Sequence, residues 1–288
     1  MFSGFHSVVV DVGDFDSAVG DYARLLGQEP DWQESNAAMR TRSALFPLAN
    51  TILEIRSAEA GAGAAFDTQT KGLSGLRLAC DELEQFVGRL ESGGVATLPS
   101  IPQTAMRFEG EAARTWVSAT VDPKASRGIS VELISDEAGP QPDWADRSRA
   151  QARSQTVAPR SVIQALDHVV VFSGDVEATR DFYADHLGIR LALDRTFEKR
   201  GVRLLFFRIG GVTIEIGGRL GVEPQPDAVD RFGGLAWQVP DIEAIQSRLQ
   251  ADRFDVSGIR DGNKPGTRVC TVRDPVHDVP TLLIEPVS

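Results

Sequence analysis

LDHVVVFSGDVEATRDFYADHLG, Leu166–Gly188, is the stretch whose reading decides the fold. It opens as an alternating apolar strand with His168 near its start, and turns at Ser173-Gly174. A helix capped by Asp175 then follows, with Val176, Thr179, Phe182, Tyr183 and Leu187 recurring at helical spacing. Gly188 supplies the left-handed position that closes it. Near the N-terminus stands FHSVVVDVGDFDSAVGDYARLLG, Phe5–Gly27, in which Gly13-Asp14 answers Gly174-Asp175 and Tyr22…Gly27 answers Tyr183…Gly188. A strand-turn-helix repeated about 160 residues apart is an internal duplication.

Working outward, the chain resolves into four similar blocks, each a strand, a helix and three further strands. The first runs from Phe5 to Ser57, with later strands at Asp31–Glu34, Thr41–Pro47 and Thr51–Arg56. The second opens with Gly75–Cys80, continues through a helix over Asp81–Glu91 stopped by Gly93-Gly94, and ends with strands near Val95–Leu98, Thr115–Val121 and Ile129–Ile134. The third is the opening stretch with strands at Arg190–Arg195, Arg203–Ile209 and Val212–Gly217. The fourth has Gly234–Val239, a helix over Asp241–Ala251, and strands near Asp255–Ile259, Thr267–Val272 and Pro280–Glu285. Between blocks two and three the chain turns polar and proline-bearing, with one short helix expected over Trp144–Arg153. The expected organisation is a first domain over residues 1–135, a linker over 136–161 and a second domain over 162–288. One helix with mostly antiparallel strands per block reads as α+β. A block covers only one face of its sheet, so blocks must pair into eight-stranded half-barrels with a cleft.

Composition narrows the function. The chain is 42% hydrophobic and 25% charged, and its net charge of -11 argues against a nucleic-acid partner. No run approaches the roughly 18 apolar residues of a membrane span, so no membrane partner is expected. Cys80 and Cys270 sit singly inside apolar strands, as buried thiols of a reducing, cytoplasmic protein would. A nucleophile elbow, a phosphate loop and a dinucleotide fingerprint are all missing from the sequence.

Four βαβββ blocks with His-Val-Val-Val…Gly-Asp-Val…Phe-Tyr…Leu-Gly resemble the vicinal oxygen chelate superfamily, which includes glyoxalase I, methylmalonyl-CoA epimerase, extradiol dioxygenases and bleomycin-resistance proteins. The resemblance implies a divalent ion (Mn, Ni, Co, Zn, Mg or Fe) held in a cleft by the first and last strands of two paired blocks. It also implies a small-molecule substrate offering adjacent oxygens. Carried over strand by strand, the ligand positions fall on Ser7 and His168, on Glu54 and Glu215, on Gly75 and Gly234, and on Glu132 and Leu282. Glu285 lies on the opposite face from Leu282, and His6 is expected to turn from the cleft with Val8 and Val10. Arg77 and Gln238 share the cleft face as candidate substrate contacts, although Arg77 needs a carboxylate partner that Glu132 equally supplies.

Three functions compete. The first is metal-dependent isomerisation, epimerisation or lyase chemistry through an enediolate, with Glu132 and Glu215 as proton-moving groups. An extradiol dioxygenase would need a second histidine, which neither half offers at Gly75 or Gly234. A metal-free binding or resistance protein is the third. If neighbouring blocks pair, neither cleft gathers more than two good ligands. If block two pairs with block three, one cleft collects His168, Glu215 and Glu132 as a metal site, which is the expected arrangement. Such exchange, across subunits or within a chain, also leaves a homodimer open.

Overall fold

In a computed structural model, residues 2–59, 71–108, 113–135, 157–224 and 228–286 are described. The helix expected over Trp144–Arg153, and most of the polar connection around it, lie outside them. The first sheet uses β1 (Phe2–Asp11), β2 (Trp32–Asn36), β3 (Thr41–Pro47), β4 (Ile52–Ala58), β5 (Gly72–Cys80), β6 (Ile101–Arg107), β7 (Ala113–Thr120) and β8 (Ser130–Ser135). Helices α1 (Phe15–Leu26) and α2 (Leu83–Ser92) follow β1 and β5. Its strand order, β1-β4-β3-β2-β6-β7-β8-β5, closes into a barrel.

The second sheet uses β9 (Ala165–Phe172), β10 (Arg190–Phe197), β11 (Val202–Ile209), β12 (Val212–Arg219), β13 (Arg231–Gln238), β14 (Arg260–Asp261), β15 (Thr267–Val276) and β16 (Val279–Pro286). Helices α3 (Val176–Asp181) and α4 (Ile242–Ala251) follow β9 and β13. Here the order β10-β11-β12-β9-β13-β16-β15-β14 leaves an open eight-stranded sheet with β10 and β14 at its edges. The four βαβββ modules and their eight-stranded sheets are as the sequence predicts.

The duplication shows in local chemistry. Asp14 accepts from Ser17 N at 3.1 Å and Asp175 from Ala178 N at 3.1 Å, satisfying the orphan donors of α1 and α3. Gly27 and Gly188 end these segments with φ of 78° and 71°. After α3 the chain widens into a π-turn over Phe182–His186, where Leu187 N reaches Phe182 O at 3.0 Å.

Strand alternation sends Val8, Val10, Leu53, Ile55, Leu76 and Leu78 toward the helices in the first half. Val169, Val171, Ile214, Ile216, Leu235 and Trp237 do the same in the second. Positions between them face the cleft. The halves are tied by Tyr22 Oη donating to Val276 O at 3.1 Å, and by Asn50, whose side chain bridges Leu166 N and O at 3.0 and 2.8 Å.

Pairing follows sequence order, and this corrects the expected crossing of blocks two and three. β5 lies beside β1 and β13 beside β9, so each sheet is made of neighbouring blocks. The reason is local: the antiparallel β1–β5 and β9–β13 ladders join the first strands of neighbouring blocks.

Candidate functional site

Register identifies the equivalent cleft positions. In the first half Ser7 faces Arg77, and Arg77 faces Glu132, while Glu54 stands beside Val9 on β4. In the second half His168 faces Ala236, and Ala236 faces Leu282, while Glu215 stands beside Val170 on β12. The ladder therefore places Arg77 and Ala236, not Gly75 and Gly234, directly opposite the first-strand position. Gly75 faces Val9 and Gly234 faces Val170. Gly234 answers to backbone crowding instead: its φ is 137°, and a Cβ there would stand 2.4 Å from Pro280 O.

The first-half cleft is filled by charge. Arg77, only 5% exposed, donates through Nη1 to Glu54 and through Nε to Glu132 Oε2 at 2.6 Å. Ser43 Oγ also donates to Glu54, at 2.9 Å. Burial pushes the Glu54 carboxyl up, but Arg77, aided by Arg56, Arg114 and Ser43, holds it below the usual carboxylate range. Glu132 shows the same balance: burial raises it, and Arg77 with Ser118 brings it below its usual value. A second buried pair lies nearby, Arg114 to Glu34 at 2.6 Å, with Trp32 Nε1 donating to Glu34 at 2.7 Å and the guanidinium 4.0 Å from the Trp116 ring centre. A guanidinium thus stands between the two carboxylates that the sequence assigns to metal. Arg77 takes the carboxylate partner that the sequence offered it in Glu132, and the two neutralise each other.

The second sheet is open and brings His168 and Glu215 together. His168 Nε2 lies 3.8 Å from Glu215 Oε2, and His168 Nδ1 lies 2.7 Å from Asp167 Oδ1. Asp167 is within reach because β9 carries a bulge at that residue, where the ladder passes from His168–Ala236 to Leu166–Trp237. Burial raises the Glu215 carboxyl, with His168 offsetting only part. The Asp167 carboxyl, raised by burial, is brought below its usual value by its contact with His168. The surrounding cleft face is apolar: Phe206 faces Glu215 across the β11–β12 ladder, and Leu204 and Phe172 close over Gly217. Gln238 is half-buried on the same face, two residues beyond Ala236, so it stays with this pair.

Among the described residues, His168 faces Ala236 and Ala236 faces Leu282, neither of which carries a donor side chain, and Glu132 belongs to the other sheet. Among the described residues, no group of three or more His, Cys, Asp or Glu side chains could hold a metal. The donor set does not fit the ion expected from the sequence.

Glu285 faces away from the cleft as expected, accepting from Arg268 at 2.6 Å and from Ile242 N at 3.4 Å. His6 lies in a bulge of β1 between Phe5 and Ser7, with Nδ1 3.0 Å from Ser7 Oγ, and it is Phe5 that joins Val8 and Val10 in the core. The role of Asp167 is missed by sequence reasoning, because strand alternation alone would turn it away from its neighbour's cleft. No helix among the described residues is long and apolar enough to cross a membrane.

Comparison with known proteins gives matches to both halves. The model of the Glyoxalase-like domain matches residues 5–161, and that of the Glyoxalase/Bleomycin resistance protein/Dioxygenase superfamily matches residues 165–277. A mutant of 4-hydroxymandelate synthase from Streptomyces coelicolor superposes with a TM-score of 0.68 at 19% identity, covering 99% of this chain and 92% of that one. A hypothetical protein from Staphylococcus aureus gives 0.64 at 11% identity, covering 99% of both. No curated protein matches the sequence. At these identities what is shared is the fold.

Proposed function

We propose, from the premise that this chain belongs to the vicinal oxygen chelate superfamily, that its second half is an acid–base site moving a proton on a small oxygenated substrate. Residues 1–135 and 162–288 are its two domains, joined by 136–161. The reaction class is isomerisation, epimerisation or lyase chemistry beside a carbonyl, in which a proton leaves carbon and is returned. The observation that carries this reading is the His168–Glu215 pair at 3.8 Å, with Phe206 facing Glu215 across the ladder. Asp167 holds His168 Nδ1, so Nε2 is turned to Glu215 and to substrate. Glu215, its carboxyl raised by burial, is suited to carry a proton at a pH where an ordinary carboxylate would not. Members of this superfamily typically add a divalent ion that stabilises the enediolate; in this cleft His168 and Glu215 are the two side chains that could approach one.

The test is proton exchange. Full-length protein is incubated in deuterated buffer with a panel of small 2-oxo and 2-hydroxy carbonyl compounds, and loss of the proton on the adjacent carbon is followed by NMR. Exchange is expected with at least one, falling on the order of 100-fold or more in His168→Ala and in Glu215→Gln. Exchange that survives both substitutions refutes the assignment. Elemental analysis of protein purified without chelator runs alongside, and a stoichiometric ion lost in His168→Ala would restore the metal-dependent form of the reading. A second reading, a metal-free small-molecule binding protein, is favoured by Ala236 and Leu282 where ligands are expected. Saturable binding without exchange would select it.

A further inference from the structure

A pocket of about 540 Å³ lies at the seam of the two halves, and one of its lining residues, Arg208, also acts by its charge on Asp167, the partner of His168. Phe2 and Phe86 from the first half form one wall, their ring centres 4.6 Å apart. From the second half come the segment after α3 and the ends of β10 and β11. The seam is tight beside it: a Cβ on Gly210 would stand 2.5 Å from Phe5 N, so the halves meet backbone to backbone there.

The charge of this pocket runs against that of the chain. Arg89, Arg190 and Arg208 line it with His186, and Asp185 is the one carboxylate among the lining residues, in a protein of net charge -11. Arg190 and Arg208 face each other across the β10–β11 ladder, a juxtaposition of like charges that destabilises an antiparallel pair. Other arginines of the second half divide: Arg180 meets Asp181 at 2.5 Å, Arg203 Asp194 at 2.7 Å, Arg268 Glu285 at 2.6 Å and Arg273 Asp255 at 2.5 Å, while Arg195 and Arg231 lie over the Phe197 and Phe172 rings. Among the described residues, Arg89, Arg190 and Arg208 have no carboxylate at ion-pair distance. Arg89 lies 4.3 Å over the Phe86 ring, which places a guanidinium beside the apolar wall.

We propose that this seam pocket binds a small organic phosphate, with Arg190 and Arg208 on the phosphate oxygens and the organic body against Phe2 and Phe86. Guanidinium forks match phosphate geometry and hold it with paired donors. A phosphate between Arg190 and Arg208 also removes the repulsion across the ladder, so binding the anion relieves a cost that the free protein carries. The volume lies within the range of pockets that enclose small ligands. This inference does not use the proton transfer assigned to His168 and Glu215, although Arg208 also acts on Asp167.

The experiment is calorimetric titration of the full chain at fixed ionic strength with phenyl phosphate, inorganic phosphate and phenol. Phenyl phosphate is expected to bind saturably and more tightly than inorganic phosphate, with phenol not binding; inorganic phosphate binding equally well would remove the apolar wall from the proposal. Arg190→Gln/Arg208→Gln is expected to weaken phenyl phosphate by about tenfold or more and to melt, without ligand, no lower than wild type. Arg190→Lys/Arg208→Lys keeps charge and loses the forks, so intermediate affinity is expected, and it carries the test if the glutamine variant misfolds. Arg273→Gln should bind as wild type does. No saturable binding in wild type up to on the order of 10 mM, or unchanged binding in both double variants, overturns the proposal.

Discussion

Replacing Arg77 with methionine tests the reading that a guanidinium occupies the first-half cleft as the counter-charge of two carboxylates. Methionine keeps most of the side-chain volume, so the loss is electrostatic and no large cavity opens. Glu54 is 2% exposed and Arg77 5%, so Glu54 cannot be re-solvated without opening the barrel, while Glu132, 18% exposed in its side chain, stays partly in contact with solvent. Breaking a buried pair from one side costs about 3–5 kcal/mol. At roughly 2–4 °C per kcal/mol for a chain of this size, a fall of about 6–20 °C in melting temperature is expected at pH 8. The pH dependence gives the sign. In wild type the lowered carboxyls of Glu54 and Glu132 contribute stability that is present above the ordinary carboxylate range and lost as pH falls through their depressed values. In Arg77→Met the strongest lowering partner is gone and burial is opposed only by Arg56, Arg114, Ser43 and Ser118, so those carboxyls rise and the variant loses less stability than wild type as acid protonates them. The gap between the two proteins should therefore narrow from pH 8 to pH 5. Glu54→Gln/Arg77→Met/Glu132→Gln, which removes every charge of the triad, should recover much of the loss. Melting curves at both pH values check this, and a variant within about 2 °C of wild type at pH 8 would refute it.

Glu215→Gln should stabilise the protein at neutral pH, because burial raises this carboxyl and the folded state carries a cost once it ionises; urea titrations at pH 7.5 and pH 4 should show the gain at the first and little at the second. Gly234→Ala should lower stability by about 2 kcal/mol or more, given a φ of 137° and a Cβ position 2.4 Å from Pro280 O. Gly75→Ala, with its nearest neighbour at an ordinary 3.6 Å, should change it by well under about 1 kcal/mol in the same titration. Arg77→His would assemble an imidazole with Glu54 and Glu132, and added zinc should raise the melting temperature of that variant but not of wild type. A zinc response of the same size in wild type would count against Arg77 as the stand-in for an ion.

Much of the architecture is legible in the sequence because it rests on patterns that chain order carries. Asp14 and Asp175, with Gly27 and Gly188, mark the helix after each module's first strand by capping chemistry, and period-two alternation separates Glu54 and Glu215 from the apolar face. Module pairing is not carried by such local signals. Both arrangements bury the same first strands, and ligand inventory favoured the crossed one, whereas the antiparallel β1–β5 and β9–β13 ladders decide for neighbours. The misassigned Gly75 and Gly234 have the same cause. Position along a strand says which face a residue takes, but which residue it meets depends on inter-strand register, and β1–β5 and β9–β13 each contain bulges that shift it.

The two halves have solved one electrostatic problem differently. Each fold repeat presents a glutamate inward from the last strand of its first block, Glu54 or Glu215, and an inward carboxylate is costly unless something compensates it. In the first half the compensation is covalent to the chain: Arg77 spans Glu54 and Glu132, Arg114 meets Glu34, and the barrel closes through the short β2–β6 contact at Glu34–Arg107 and Ser35–Met106. Those charges are then mutually satisfied and leave little for a ligand to gain. In the second half Ala236 and Leu282 supply no cation, the sheet stays open, and Glu215 is left with His168 and a raised carboxyl. On the function proposed here, the incompletely compensated carboxylate of the open sheet is where a substrate proton would be exchanged, which assigns the chemistry to the second half, while the ion-paired first half holds its shape.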